Sequence, residues 1–183
     1  MTTPAPRHDS ATFPPPLPVD ADPTLGPLLD RFLACVCAEL AAAERPVCEC
    51  CLVWGDSIPP ADFCDCACGD GHGQAWVRVV RWDPANTTNR LDNKKCQTLR
   101  TRVWLEAGVY RCVASVAPDG QSAPTCEQRS ADAWGLIRDA MALRQAFACC
   151  EALNDRVLEF MSEEPTGMQG GCSGVVIQFT VDV

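Results

Sequence analysis

The sequence predicts an α+β domain, with two main helices packed on one face of a mixed or antiparallel sheet. Three observations carry this prediction: an apolar repeat at three- and four-residue steps near the start, alternation of apolar and polar residues in three later stretches, and one further helical segment between two of those stretches. Two substantial helices are too few to connect every pair of strands by a helical crossover, which favours α+β over a parallel α/β sheet. The length of 183 residues suits one domain.

The first helix is predicted to begin at Asp22-Pro23. An aspartate can accept hydrogen bonds from the free amides of a first helical turn, and proline suits the first helical position. Pro46 closes the segment. The apolar residues that recur along one side of this helix are Leu25, Leu28, Leu29, Phe32, Leu33, Val36 and Leu40.

Three stretches have the composition and alternation of strands. The stretch AWVRVVRW, residues 75–82, is rich in β-branched and aromatic residues and ends at the turn dipeptide Asp83-Pro84. Residues 99–116 predict one long strand, or two strands broken near Gly108, with Val103, Leu105, Ala107 and Val109 on one face. The last ten residues, GVVIQFTVDV, alternate almost throughout and predict a half-buried strand.

A second helix is predicted between the last two of these strands. Pro118-Asp119-Gly120 turns the chain, and Ser130 offers a side-chain oxygen as the helix cap. The apolar residues at helical spacing in this segment are Trp134, Ile137, Met141, Leu143 and Phe147.

The first 22 residues differ in composition from the rest of the chain. They contain six prolines among small and polar residues, which favours extended polyproline geometry and provides no core. We interpret residues 1–22 as a Pro-rich flexible arm and residues 23–183 as a single domain.

The charge of the chain argues against two classes of partner. With 24 acidic against 15 basic residues the formal net charge is -9, so the chain does not attract phosphate backbones, and we expect no specific binding of nucleic acid. No stretch approaches the roughly 20 apolar residues that span a bilayer, so we expect no membrane contact.

The chain lacks the residue patterns of common enzymes, and we expect no catalytic activity and no cofactor. Of its 2 histidines, His8 lies in the arm and His72 in a glycine-rich loop, which leaves no obvious base for a cysteine nucleophile. The glycines at 69, 71 and 73 are not followed by the GK[ST] of a phosphate-binding loop.

The cysteines allow three interpretations. Cys48 and Cys51 have the spacing of a zinc knuckle, and they form a candidate metal site with Cys66, Cys68 and His72 in the stretch CDCACGDGHG. The total of 14 cysteines is instead compatible with disulfides, either within segment 48–68 or between the Cys149-Cys150 helix end and Cys172. In the third interpretation the thiols are buried and pack as small apolar groups.

Several stretches, taken in order, resemble one protein family. These are the Pro-rich arm, the Leu-rich first helix leading to CECC, then GQAWVRVVRW, TRVWLEAGVYRCV, SADAW opening a helix that ends in ACC, and finally PTGMQGGCSGVVIQFTVDV. Over residues 24–183 the chain resembles the head-to-tail connector proteins of actinobacteriophages, and among them the tail terminators of long-tailed phages.

The resemblance implies a structural protein of the virion, assembled in the host cytoplasm and located at the head-tail junction. Such a protein forms a ring, commonly of six copies, that terminates the tail tube, and its partners are further copies of itself, the major tail tube protein and the head-side connector or stopper protein. DNA passes through the ring without specific binding. Another connector ring protein, a stopper or an adaptor, is one alternative, and a Cys-rich zinc-binding module is another.

The terminal strand is the part of the chain that we expect to take part in assembly. A chain end on a strand brings unpaired backbone groups to a sheet edge unless strands cover both sides. The side chains of its second face are the predicted interface residues, namely Val176, Gln178, Thr180 and Asp182.

Overall fold

The fold is an α+β arrangement of one five-stranded mixed sheet and two helices that pack against it, as the sequence predicts. The computed structural model describes residues 24–54, 64, 68, 72–84, 101–116, 120, 122–154, 156, 158–169 and 171–183. In chain order the elements are α1 (Leu25–Ala42), β1 (Glu49–Trp54), β2 (Gln74–Pro84), β3 (Thr101–Cys112), α2 (Cys126–Cys149), a single 3-10 turn (Glu151–Leu153), β4 (Leu158–Gln169) and β5 (Cys172–Asp182). The expected arm and the cap at Asp22 lie outside the described residues.

The strands lie in the order β1-β2-β3-β5-β4. Only the pair β1 and β2 is parallel, and the other three pairs are antiparallel. The C-terminal strand β5 is hydrogen-bonded on both sides, to β3 and to β4. It is therefore an inner strand of the sheet, and both rows of its backbone groups are paired.

The two helices share one face of the sheet. Helix α1 packs on β1 and β2, α2 packs on β3 and β5, and the helices contact one another. Phe179 of β5 lies between them, because its ring centroid is 5.1 Å from that of Phe32 in α1 and 5.0 Å from that of Phe147 in α2. The apolar positions predicted on the inner faces of α1, β3 and β5 form this core, including Val36, Leu105 and Ile177, which are fully buried.

Strand β3 is continuous through Gly108, so the alternative of two shorter strands is wrong. The glycine is needed because the indole of Trp76 covers it: a Cβ atom at position 108 would lie 2.3 Å from Cζ2 of that ring. Trp76 itself is buried on the sheet face opposite the helices.

Helix α2 begins at Cys126, four residues before the predicted cap at Ser130. Thr125 is the N-cap, and it forms a capping box with Gln128: the threonine Oγ1 accepts from the amide of Gln128 at 3.2 Å, and the glutamine Oε1 accepts from the amide of Thr125 at 2.9 Å. The predicted start was wrong because a threonine followed three residues later by glutamine also fits a helix start, and it comes earlier in the chain.

Two strands were not predicted, β1 and β4. Strand β4 contains Pro165, Gly167 and several glutamates, a composition that argues against an inner strand. It is one of the two edge strands of the sheet, and its register with β5 shifts twice. A proline and such shifts are tolerated at an edge. Neither helix of the described chain is long and apolar enough to cross a membrane.

Candidate interaction surfaces

The outer side of α2 carries a row of large apolar side chains in contact with solvent. Trp134, Ile137 and Met141 have exposed fractions of 67%, 49% and 61%. Their spacing of three and four residues places them on the same side of the helix, and we call them the α2 stripe. Such a row is unusual for a free surface, because moving each of these side chains out of water would lower the free energy of the system.

The apolar residues predicted at helical spacing in α2 divide between two sides of the helix. Leu143 is buried and Phe147 packs against the core, whereas the three residues of the α2 stripe are exposed. The buried residues of the inner side are mostly small: Gly135, Asp139, Ala140, Ala142, Leu143 and Ala146. Small side chains let the helix approach the sheet closely, which leaves the larger apolar residues on the outside. Periodicity alone could not choose between these two sides, because both contain apolar residues.

One charged cluster fixes the rotation of α2. Asp139 is fully buried, and its carboxylate accepts hydrogen bonds from Arg111 of β3 at 2.9 and 3.1 Å and from Arg45 at 2.7 and 2.9 Å. Two guanidinium groups thus hold one carboxylate on the inner side of the helix. Because α2 is held in this rotation, the α2 stripe faces away from the sheet.

The guanidinium of Arg111 also donates hydrogen bonds to backbone carbonyls. Arg111 donates to the carbonyl oxygens of Arg45 at 2.6 Å and Pro46 at 2.9 Å, and also to that of His72. These carbonyls belong to the segments just before β1 and β2. One buried arginine of β3 therefore holds together α2 and the two segments that lead into β1 and β2. This cluster was not predicted from the sequence. The feature that could have indicated it is Asp139, an aspartate within the apolar part of a helix.

A cavity of about 310 Å³ lies beside the cluster. Arg45, Arg111, His72, Asp132 and Gly135 are among its lining residues. Both arginines already bind the Asp139 carboxylate, and Asp132 accepts a hydrogen bond from the amide of Ala114 at 2.8 Å. The two arginines that line this cavity are therefore already paired with a carboxylate of the protein.

A second apolar surface lies at the β1 edge of the sheet. The indoles of Trp54 and Trp82 contact one another in a tilted arrangement, with ring centroids 4.9 Å apart and an angle of 49° between the ring planes, and we call them the tryptophan pair. Their exposed fractions are 69% and 44%, and Leu52 beside them is 49% exposed. All three lie on the side of the sheet that carries the helices. In β1, Leu52 and Trp54 follow Cys50 at two-residue steps and share its face, and Cys50 packs against the core. In β2, Trp82 is paired with the core residue Val103.

The candidate metal ligands do not form a thiolate site in this structure. Cys48 and Cys68 are joined in a disulfide, which removes two of the proposed thiolates. Cys51 is a half-buried free thiol whose pKa is raised, first by burial and then by the nearby Glu49. His72 is exposed, Cys66 lies outside the described residues, and within the described ranges no group of three His, Cys, Asp or Glu residues could hold a metal ion.

Three more disulfides connect described residues. Cys35 of α1 is bonded to Cys150 after α2, Cys37 of α1 to Cys50 of β1, and Cys64 to Cys172 of β5. The predicted pairing within segment 48–68 is confirmed by the Cys48–Cys68 bond. The predicted pairing of the α2 end with Cys172 is wrong, because Cys150 lies against α1 and Cys172 lies on the opposite face of the sheet.

The four predicted interface residues lie along β5, on the face opposite the helices. Val176 and Thr180 are 7% and 2% exposed, Gln178 donates to Glu106 at 2.9 Å, and Asp182 accepts from Arg102 at 2.8 Å. Their role in an interface stays a prediction. Within one copy of the chain all four are paired with β3, and Val176, Gln178 and Thr180 are also paired with β4, which occupies the sheet edge expected for this strand.

Comparison of the chain with models of known protein families and with curated proteins found no match.

Proposed function

We propose that this chain is a structural virion protein of the head-tail junction, forming a ring that terminates the tail tube and joins it to the head connector. The observation that carries the proposal is the α2 stripe, a row of three exposed large apolar side chains on a helix that the Asp139 cluster holds in place. A rigid apolar surface of this kind suits a permanent contact with another protein. The motif resemblance described above implies a ring, and in this proposal the protein in contact with the α2 stripe is the next copy in that ring.

In a ring, the α2 stripe of each copy would contact a different surface of the next copy. In a closed cyclic ring every copy uses two different surfaces, one for each neighbour, and growth stops when the ring closes. The α2 stripe supplies the first surface in this proposal. A ring of about six copies, as the resemblance implies, would repeat this contact once per copy.

The charge of the chain supports a position around passing DNA. A net charge of -9 gives the protein the same sign as the phosphate backbone, so DNA is repelled from the wall of the ring rather than retained. The partners of the ring in this proposal are the major tail tube protein on one side and the head-side connector or stopper protein on the other. A stopper or adaptor would form a similar ring but would not bind the end of the tail tube.

The proposal is tested first by the mass of the purified protein, measured by light scattering and native mass spectrometry. We expect a species of about six copies with a central channel in negatively stained images. The ring should then bind the ends of tubes assembled from the major tail protein and arrest their growth. A protein that stays monomeric at high micromolar concentration, with or without tubes, would contradict the proposal, and a ring that ignores tubes would point to a stopper or adaptor.

A metal analysis of the same preparation tests the zinc-binding alternative. Protein purified under reducing conditions, in which Cys48 and Cys68 are free to bind a metal, should contain far less than one zinc per chain if the role of these two cysteines is to form their disulfide. Stoichiometric zinc would favour the alternative.

A further inference from the structure

The tryptophan pair stands apart from the contacts that stabilise the sheet. Trp54 and Trp82 contact one another, yet more than two fifths of each side chain faces solvent. Neighbouring aromatic rings that are open to solvent on one side line the surfaces on which proline-rich segments bind in many domains, because a polyproline helix is already extended and presents flat pyrrolidine rings. The chain has such a segment of its own, the stretch FPPPLP at residues 13–18.

The start of α1 lies at the same end of the sheet as the tryptophan pair. The register row that begins at Trp54 continues through Val79 and Leu105 to Phe179, and the ring of Phe32 contacts that of Phe179 at 5.1 Å. Further along α1, Cys37 is bonded to Cys50, four residues before Trp54 in β1. Helix α1 therefore runs antiparallel to β1, and its N-terminus lies beyond the row of residues that contains Trp54.

Distances along the two elements agree with this placement. From Phe32 back to Leu25 the helix extends about 10 Å at its usual rise. From the row of Trp54 to the row of Trp82 and Val103, two residues along β3, the sheet extends about 7 Å. The chain thus enters α1 at the level of Trp82, on the side of the sheet where both indoles lie.

We infer that residues 13–18 of the arm bind the tryptophan pair of the same copy, with prolines packed against the two indoles. Between Thr24 and Pro18 an extended chain spans about 19 Å, enough to run from the start of α1 to either indole. The inference concerns a surface separate from the α2 stripe, and it does not depend on the function proposed above. It assigns the arm a binding site on its own domain, of the kind that aromatic surfaces provide for proline-rich ligands.

The full-length chain allows a direct test by NMR, because its 5 tryptophans give separate indole signals. The arm variant carries Pro15→Ser, Pro16→Ser and Pro18→Ser. We expect the indole signals of Trp54 and Trp82 to shift between the natural chain and the arm variant, while that of Trp134 stays in place. The shift should also be present in dilute samples that are monomeric by light scattering, because the contact is within one copy.

A synthetic peptide of residues 12–20, added to the arm variant, should restore the original positions of both signals. Introducing Trp54→Ala into the arm variant should weaken binding of the peptide by about tenfold or more, the loss expected when a central aromatic contact is removed. Met168→Ala is the control, because it removes an exposed large apolar side chain of β4 that belongs neither to the tryptophan pair nor to the α2 stripe, and it should leave peptide binding unchanged.

Three results would overturn the inference. The first is an arm variant in which neither the Trp54 nor the Trp82 signal moves. The second is a shift that is absent from dilute, monomeric samples, which would mean that the arm binds another copy. The third is a peptide that binds equally well with and without Trp54.

Discussion

Asp139 and Arg111 form a buried ion pair in which the Nη2 and Nε atoms of the arginine lie 2.9 and 3.1 Å from the two carboxylate oxygens. The aspartate is fully buried and the arginine is 4% exposed. Arg45 completes the cluster from the solvent side. The pair connects the middle of α2 to the end of β3, so it determines which side of the helix packs on the sheet.

Replacing Asp139 by asparagine should destabilise the fold strongly. The change keeps the size of the side chain but leaves the buried guanidinium of Arg111 without its counter-charge, and losing one partner of a buried pair costs about 3–5 kcal/mol. We expect a fall of this size in the free energy of unfolding, measured by urea denaturation. Arg144→Gln is the control: it breaks the exposed ion pair with Glu163, and it should change stability little. Similar effects of the two variants would mean that the cluster does not hold α2.

The Cys35–Cys150 disulfide should stabilise the protein because it closes a long loop. The two residues are 115 positions apart, so the bond restricts the unfolded chain more than a short loop would. Replacing both cysteines by serine should lower the free energy of unfolding by about 2–4 kcal/mol. Thermal unfolding under oxidising conditions measures the change.

The control for this experiment is Cys126→Ser, which replaces an exposed free cysteine and should leave the unfolding temperature unchanged. The same comparison in a strong reductant should abolish the difference between the double variant and the natural chain. A difference that persists after full reduction would show that serine disturbs packing at Cys150, which is buried, rather than removing a crosslink.

Strands with a buried apolar row could be predicted from the sequence. Val103, Leu105, Ala107 and Val109 alternate in β3 because one face of the sheet lies under the helices, and the same reason holds for β5. Helix α1 could be predicted because its apolar residues occupy one side only. In each case burial on a single side leaves a clear period in the sequence.

The remaining elements depend on contacts that the sequence does not reveal. Strand β4 lies at the edge of the sheet, where Pro165 is tolerated and alternation is weak. Apart from Leu143, the inner side of α2 was missed because it consists of small residues around the buried Asp139, a pattern less apolar than the α2 stripe. Strand β5 lies inside the sheet because β4 pairs with it on the side away from β3, and β4 was not predicted.

The three free cysteines of the described chain should differ in reactivity. Cys126 and Cys149 are exposed, whereas Cys51 is half-buried and has a raised pKa because of burial and the charge of Glu49. A raised pKa leaves less thiolate at a given pH, and the thiolate is the reactive form. Under non-reducing conditions near pH 8, iodoacetamide should therefore alkylate Cys51 last, as followed by mass spectrometry of peptides. Glu49→Gln should speed the alkylation of Cys51, and a Cys51 that reacts as fast as Cys126 would contradict this prediction.

The last prediction concerns the α2 stripe and the assembly proposed for it. In the double variant Trp134→Glu and Met141→Glu, two carboxylates replace apolar groups at the proposed contact between copies, and burying them there would cost several kcal/mol per contact. The variant should stay folded, since both side chains point away from the core, but it should be monomeric by light scattering. Ala38→Glu is the control, because it adds a carboxylate at an exposed helical position of α1 away from the stripe, and it should form rings as the natural chain does. If the folded double variant still forms rings, α2 is not the contact between copies, and the assembly must use another surface of the protein.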